Sequence, residues 1–403
     1  MELSKRRRNL GDASGAPTSI LDIPFCIMVD IFSRLPVTIL LACKFACKAW
    51  YSYISNPEFG KLYFKNPPFL SVVMFSINYD YSLVDLKADD HDNNTLNPNA
   101  LRILQTNEPT GNETVLGSCN GLLCILHHSS CFGGYKLYIW NPLTGERAFL
   151  PPPNVEENVK ADAFLFGFCE KTNEYKVLRI LTRKWKRGKT EVKICTIGSD
   201  DSWRVLKQNL PLPRGRKWTD TIFFDDTQFS EVTFKGSLHW ITEDSFNWDD
   251  VVFAFDVGEE KLKPFPQPNG LYLRYNYTSL AVFRECLSIF QISSSSQVDI
   301  WLMKEYGELG SWTKEITVNC SHLPAVLPQL YYPIVFWRGN ELLLCGGYGV
   351  LYSCDTETMM ATKVRATVDR NVRGYAIPFV PCFLSFKDFI KGFDGEPKVL
   401  KEK

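Results

Sequence analysis

The residues that could do chemistry fall into a few short groups. Cys124, His127, His128 and Cys131 form C-x-x-H-H-x-x-C, four side chains of the types that hold zinc. All four lie within eight residues, and adjacent histidines on an extended chain point to opposite faces, so the group reads as a polar hairpin tip. Glu243, Asp244, Asp249 and Asp250 flank Phe246 and Trp248. Paired carboxylates of this kind could serve a glycosidase, but charges in a loop between two strands are ordinarily there to be solvated. His239 follows a strand leucine and reads as a packed histidine rather than a base. Arg183-Lys184-Trp185-Lys186-Arg187-Gly188-Lys189 interleaves charge with an aromatic ring. Such a stretch could stack RNA bases, or it is a hairpin tip held in water by its charges. No phosphate loop, nucleophile elbow or dinucleotide fingerprint occurs. These residues lead us to expect no catalytic group, no metal and no cofactor.

Composition narrows the remaining classes. The 403 residues carry 45 basic and 45 acidic side chains, so no global charge favours nucleic acid or an anionic membrane. Apolar residues make up 45%, enough for a sizeable core, yet no apolar run reaches the length that spans a bilayer. No secretory leader is apparent at the start, which reads Lys5-Arg6-Arg7-Arg8 and then small residues. That basic run could be an import signal or a solvated tail. The thirteen cysteines are odd in number and scattered through apolar runs, as reduced intracellular thiols are. The expected location is therefore the cytoplasm, the nucleus, or both.

The elements that would position any site divide sharply near residue 65. From Ile20 to Phe64 the spacing is helical. Pro24 stands at a first helical turn behind Asp22, and Ile23, Ile27, Ile31 and Leu35 recur four apart, broadened by Met28 and Phe32. Pro36 opens a second helix with Leu40 and Leu41. Cys43, Cys47, Trp50 and Ile54 read as a third, and Asn56-Pro57 begins a fourth. Four short helices cannot cover this apolar surface by themselves, so on spacing alone they either pack on the rest of their own chain or present the surface to a partner. The run Ile23-Pro24, Asp30 through Pro36, Leu40-Leu41, Cys47-Lys48-Ala49-Trp50 and Ile54 through Phe59 resembles the plant-type F-box. It departs from the usual form by Ile23 for Leu, Asp30 for Glu, Phe32 for Leu, and a less basic stretch at Ala42-Cys43-Lys44. The resemblance implies docking on a Skp-type adaptor and, through it, on a cullin. The implied adaptor face is Ile23, Pro24, Ile27, Ile31, Leu35, Pro36, Leu40 and Leu41, on a helical unit whose core is separate from the rest.

After Lys65-Asn66-Pro67-Pro68 the pattern turns to strands. Phe69 to Ile77 is a continuous apolar, β-branched run, and Ser82 to Leu86 could pair with it. From Val115 one plan recurs three times: a turn and strand at Asn120-Gly121, Lys235-Gly236 and Arg338-Gly339, then a second strand ending in Asn141, Asp256 and Asp355. A second plan alternates with it, from Tyr175 to Trp203 and from Cys286 to Trp312. Half the spacing between first-plan glycines is about fifty residues, the length of one four-stranded blade. Strands alone at this period argue for a mainly β, propeller-like ring over about 69–386. Val372 to Phe386 and the Phe69 run would complete one blade and close it.

Leu116 through Cys124, Trp140-Asn141-Pro142-Leu143-Thr144, Phe166-Gly167-Phe168, Asn173 through Val177 and Gly236 through Trp240 resemble the F-box-associated domain of plant F-box and F-box/kelch proteins. The expected organisation is a disordered basic tail (1–19), an F-box (20–64), an F-box-associated β-propeller-like domain (65–386) and a C-terminal tail (387–403). The resemblance implies a non-catalytic substrate receptor of a Skp–cullin–F-box ubiquitin ligase, its β-domain holding a target protein. The alternative is an F-box scaffold that binds RNA or protein outside a ligase. Loops rich in Tyr, Trp and Arg suggest the target rim, with Arg214, Trp218, Trp248, Tyr272, Tyr275 and Tyr332 as its candidates.

Overall fold

The structure is a computed structural model. It describes residues 23–65, 70–76, 80–86, 101–105, 113–128, 135–152, 159–183, 190–207, 231–243, 250–269, 271, 278–292, 297–319, 332–338, 341–346, 350–358, 360–364 and 374–390. Four helices come first: Phe25–Ser33 (α1), Val37–Ala46 (α2), Lys48–Ile54 (α3) and Pro57–Lys65 (α4). Prolines set three of the starts. The carbonyl of Pro24 accepts from the amides of Ile27 and Met28, and that of Pro36 from Leu40. Pro57 opens α4, where the Asn56 side chain accepts from the Glu58 amide at 2.8 Å. Asp22 lies outside the described residues. Cys43 belongs to α2 rather than to the third helix. Cys47 sits in extended backbone at the break, and its sulfur caps α3 through the Trp50 amide.

The described strands form six four-stranded antiparallel sheets. The first joins Gly374–Phe379 (β24) to Leu70–Ser76 (β1), Asp80–Leu86 (β2) and Leu101–Gln105 (β3). The second runs Glu113–Cys119 (β4), Leu122–His128 (β5), Tyr135–Trp140 (β6) and Arg147–Phe149 (β7). The third is Val159–Cys169 (β8), Glu174–Arg183 (β9), Thr190–Thr196 (β10) and Arg204–Val205 (β11). The fourth is Glu231–Phe234 (β12), Ser237–Glu243 (β13), Asp250–Asp256 (β14) and Lys261–Pro264 (β15). The fifth is Thr278–Phe283 (β16), Cys286–Ile292 (β17), Gln297–Met303 (β18) and Trp312–Asn319 (β19). The sixth is Tyr332–Arg338 (β20), Glu341–Gly346 (β21), Val350–Asp355 (β22) and Met360–Val364 (β23). The leading strands β24, β4, β8, β12, β16 and β20 touch in a closed cycle, so the sheets are the blades of a propeller. The ring closes as expected. Val73 pairs with Leu83 on one side and Ile377 on the other, so the two ends of the domain share one blade.

The repeated turns have local causes. Asn120-Gly121 and Lys235-Gly236 both carry positive φ, as a two-residue hairpin twisted to match its strands requires. At the ends of the third strands, the Asn141 side chain accepts from the amides of Leu143 and Thr144, and Asp256 and Asp355 do the same two and three residues on. The cores lie in the wedges between neighbouring blades. Phe166 and Tyr175 of the third blade stack against Cys124 and Ile139 of the second, and Phe290 and Ile300 of the fifth against Leu344 and Tyr352 of the sixth.

One expectation is overturned here. The helices do not form a core apart from the β-domain. Met28, Phe32, Leu40, Ile54, Phe59 and Tyr63 share a single cluster with Val73, Leu83, Leu123, Trp140, Ile377 and Phe383 of the first two blades and the segment after β24. The apolar surface that four short helices could not cover is covered by the ring.

Candidate functional site

The spacing of four in α1 hides two faces. Met28 and Phe32 turn inward and are buried, with Trp50 and Phe59 edge-on to Phe32. Ile27 and Ile31, one position away on the helical wheel, stay 50% and 41% exposed. The two stripes stand about 100° apart around the helix axis, and the propeller takes only the first. Asp30 and Arg34 lie on the same outward side and pair at 2.9 Å, in water. Pro24 is exposed; Ile23, Leu35 and Pro36 are half-buried. Leu35 and Ile23 pack against the shared core, and the Leu35 carbonyl accepts from the Tyr63 hydroxyl at 2.9 Å.

Leu40 and Leu41 correct the expected adaptor face. They are 0% and 6% exposed and point into the helix–ring core, so neither lies on an open surface of this chain. The outward side of α2 and α3 instead shows Ile39, Phe45 and Tyr51, at 39%, 82% and 53%. Sequence reasoning passed over these three. In an Ile-Leu-Leu run the outward residue is decided by which side the ring occupies, and that is a long-range fact. Lys44 is buried beside them. Its ammonium lies 5.3 Å from the Tyr51 ring, and burial pushes its pKa down while Glu146 of the second blade opposes that shift.

Among the described residues the chemistry-bearing groups form no catalytic arrangement. Cys124 is fully buried in β5, and His127 faces Lys136 across the sheet with its Nδ1 3.5 Å from Glu113. Cys131 lies outside the described residues. Among the described residues no three His, Cys, Asp or Glu side chains converge as a metal site would need. Glu243 and Asp250 oppose each other at the ends of β13 and β14, and Asp244 and Asp249 lie outside the description. His239 is fully buried, its Nε2 2.8 Å from the Tyr306 hydroxyl and its ring edge-on to Phe265. Burial lowers its pKa to about 4, so it is neutral at physiological pH. Arg183 ends β9, and 184–189 fall outside the description.

The rim candidates share a topological address. Arg214, Trp218, Trp248, Tyr272 and Tyr275 lie outside the described residues, and Tyr332 is the first residue of β20. Strands alternate direction within each blade. In chain order the β13-to-β14 connection carries Trp248, the β11-to-β12 connection Arg214 and Trp218, and the β15-to-β16 connection Tyr272 and Tyr275, while Tyr332 stands where the β19-to-β20 connection enters β20. All of these leave the strands on one side of the ring. The tight hairpins at Asn120-Gly121 and Lys235-Gly236 lie on the other side, which is also where the helices dock.

Residues 20–62 match the family model of the F-box domain, and residues 72–369 match that of the F-box associated beta propeller domain. An F-box protein of Arabidopsis thaliana is 29% identical over 366 residues, covering 84% of this chain and 82% of its own. An F-box/kelch-repeat protein of the same plant is 25% identical over 320 residues, covering 74% of this chain and 79% of its own.

Proposed function

The chain belongs to the family of F-box proteins with an F-box-associated β-propeller, and from that premise we propose that it is the substrate-recognition subunit of a Skp–cullin–F-box ubiquitin ligase. The observation that carries this reading is the divided α1. One stripe is spent on the ring, and the other, Ile27 and Ile31, is left open beside Pro24 on a rigidly seated helix. An exposed apolar pair of this kind wants a partner, and a Skp-type adaptor, bound in turn to a cullin, is the partner an F-box implies. The chain makes no bonds itself. It raises the effective concentration of a target lysine near the charged conjugating enzyme.

The target face we assign to the side of the ring opposite the helices, where the connections carrying Arg214, Trp218, Trp248, Tyr272, Tyr275 and Tyr332 leave the strands. Adaptor and target then approach from opposite sides and do not compete for space. The described cysteines are all free thiols, which suits the reducing cytoplasm or nucleus. Co-purification tests the reading: tagged full-length chain is expected to bring down adaptor and cullin together. A folded chain that brings down neither overturns it.

A further inference from the structure

We propose that the segment 380–386 makes the seating of the F-box depend on closure of the ring, and that Asn141 and Glu146 are the positioning residues that hold this seat. The proposal rests on the receptor reading above and adds the part that fixes the geometry of transfer.

The segment leaves β24, the strand that closes the first blade, and crosses the hairpin side of the second blade. There Asn141, fully buried, donates from its side-chain nitrogen to the carbonyls of Cys382 and Leu384 at 3.0 and 3.1 Å. Glu146, 7% exposed, accepts from the Ser385 hydroxyl at 2.6 Å and the Phe386 amide at 2.9 Å. Gly121 lets the segment pass, since a Cβ there would stand 2.5 Å from the Val380 carbonyl oxygen and 2.9 Å from the Cys382 nitrogen. On its other side the segment meets α4. The Phe383 ring lies 5.5 Å from Tyr63 and 6.2 Å from Phe59, and Gly60 comes so close to Leu384 that a Cβ would stand 2.5 Å from its side chain. Lys44, buried in α2, brings a positive charge toward Glu146. Helices, second blade and closing segment therefore meet at one buried carboxylate. Without β24 in place, the Asn141 side-chain nitrogen loses both of its carbonyl partners, Glu146 loses Ser385 and Phe386, and α4 loses its contacts with Phe383 and Leu384.

Gly60 separates seating from folding. A larger residue there improves α4 as a helix, since glycine is a poor helix former, but wedges it off Leu384. In full-length protein carrying one spin label on exposed Tyr51 and one on exposed Val205, the distance distribution is expected to be narrow. It should broaden in Gly60→Leu and, by a different route, in Glu146→Gln. The ring's thermal transition should move down but stay cooperative in Gly60→Leu, and adaptor capture should persist in both. Target ubiquitination should fall about tenfold or more, because misplacing reacting groups by small distances is costly. A broad distribution in the parent chain, or narrow ones in both variants, overturns the seat. Loss of adaptor capture by the parent chain would overturn the receptor reading while leaving the distance measurement valid.

Discussion

The indole nitrogen of Trp203 donates to the carbonyl of Pro151 at 2.9 Å, 52 residues earlier and one blade back. Trp312 repeats the bond to Pro266, at 3.0 Å and 46 residues. Each tryptophan stands at the outer strand of one blade and reaches the residue where its predecessor ends. The blades are thus tied in twos, second to third and fourth to fifth. The segment 87–105 that leads into the outer strand of the first blade contains no tryptophan, and that blade is completed instead by β24 pairing with β1.

Trp203→Phe and Trp312→Phe keep an aromatic ring and lose the bond. Each is expected to lower stability by about 1 kcal/mol, the net value of a typical hydrogen bond. The two sites are far apart, so the double variant should lose about the sum. Denaturant unfolding reads the effect, and unchanged midpoints would mean water replaces the indole at no loss.

The outward and inward stripes of the F-box should separate binding from folding. Ile27→Ala with Ile31→Ala is expected to weaken adaptor binding by about a hundredfold while the melt stays put, each buried side chain contributing roughly 1.5–3 kcal/mol at the interface. Leu40→Ala is expected to act the other way round, costing about 2–5 kcal/mol of stability, since it opens a cavity in the helix–ring core. An adaptor pull-down beside a thermal melt distinguishes them. Equal binding by the Ile27/Ile31 variant would remove α1's outer face from the interface.

Glu260 should mark the acid limb of stability. Hydrogen bonds from Arg204, and then Lys176, hold its carboxyl down at about 2 against the desolvation that would raise it. A depressed carboxyl contributes stability that is fully present above its unfolded value, near 4.5, and is lost as pH falls toward 2. Glu260→Gln is expected to flatten stability against pH in that window and to cost on the order of 1 kcal/mol at neutral pH, less than the full shift implies because Arg204 is 42% exposed and solvent screens the pair. Denaturant titrations from pH 2 to 7 check it; an unchanged acid slope would show that the third and fourth blades do not depend on this pair.

His239 should act in a higher window. Its folded form resists protonation to about 4, whereas the unfolded histidine accepts a proton near 6.5. The unfolded state therefore binds the extra proton first, and stability should fall as pH drops from 6.5 toward 4. His239→Phe is expected to remove that slope and leave the lower one. The same slope in both proteins would assign it to other groups.

The hairpins of the ring were readable because their causes are local. A positive-φ pair such as Asn120-Gly121 and an Asx turn such as that at Asp256 are written in two or three adjacent residues, and the shared first blade followed from strand-like runs standing at the two ends of the domain. The leading strands β12 and β16 were harder, being set between long connections with no turn signal at their outer ends. The inward turn of Leu40 and Leu41 was not readable at all. It depends on the ring residues of the shared core, among them Leu83, Trp140 and Phe383, more than forty residues distant in the chain, and nothing in the spacing of α2 marks which flank they will occupy. Nor could the spacing of α1 separate Ile27 from Met28, since both fit one helical period.

The shared first blade also sets an order of events during synthesis. β1 emerges early, with the apolar run Val72-Val73-Met74-Phe75, but its inner neighbour β24 follows some three hundred residues later, on the order of a minute or less at ordinary translation rates. Until then one edge of β1 has no strand to pair with, and such edges invite pairing with other chains. The nascent protein thus carries a sticky flank for most of its translation, and a chaperone that shields extended apolar segments is the cellular help this architecture calls for.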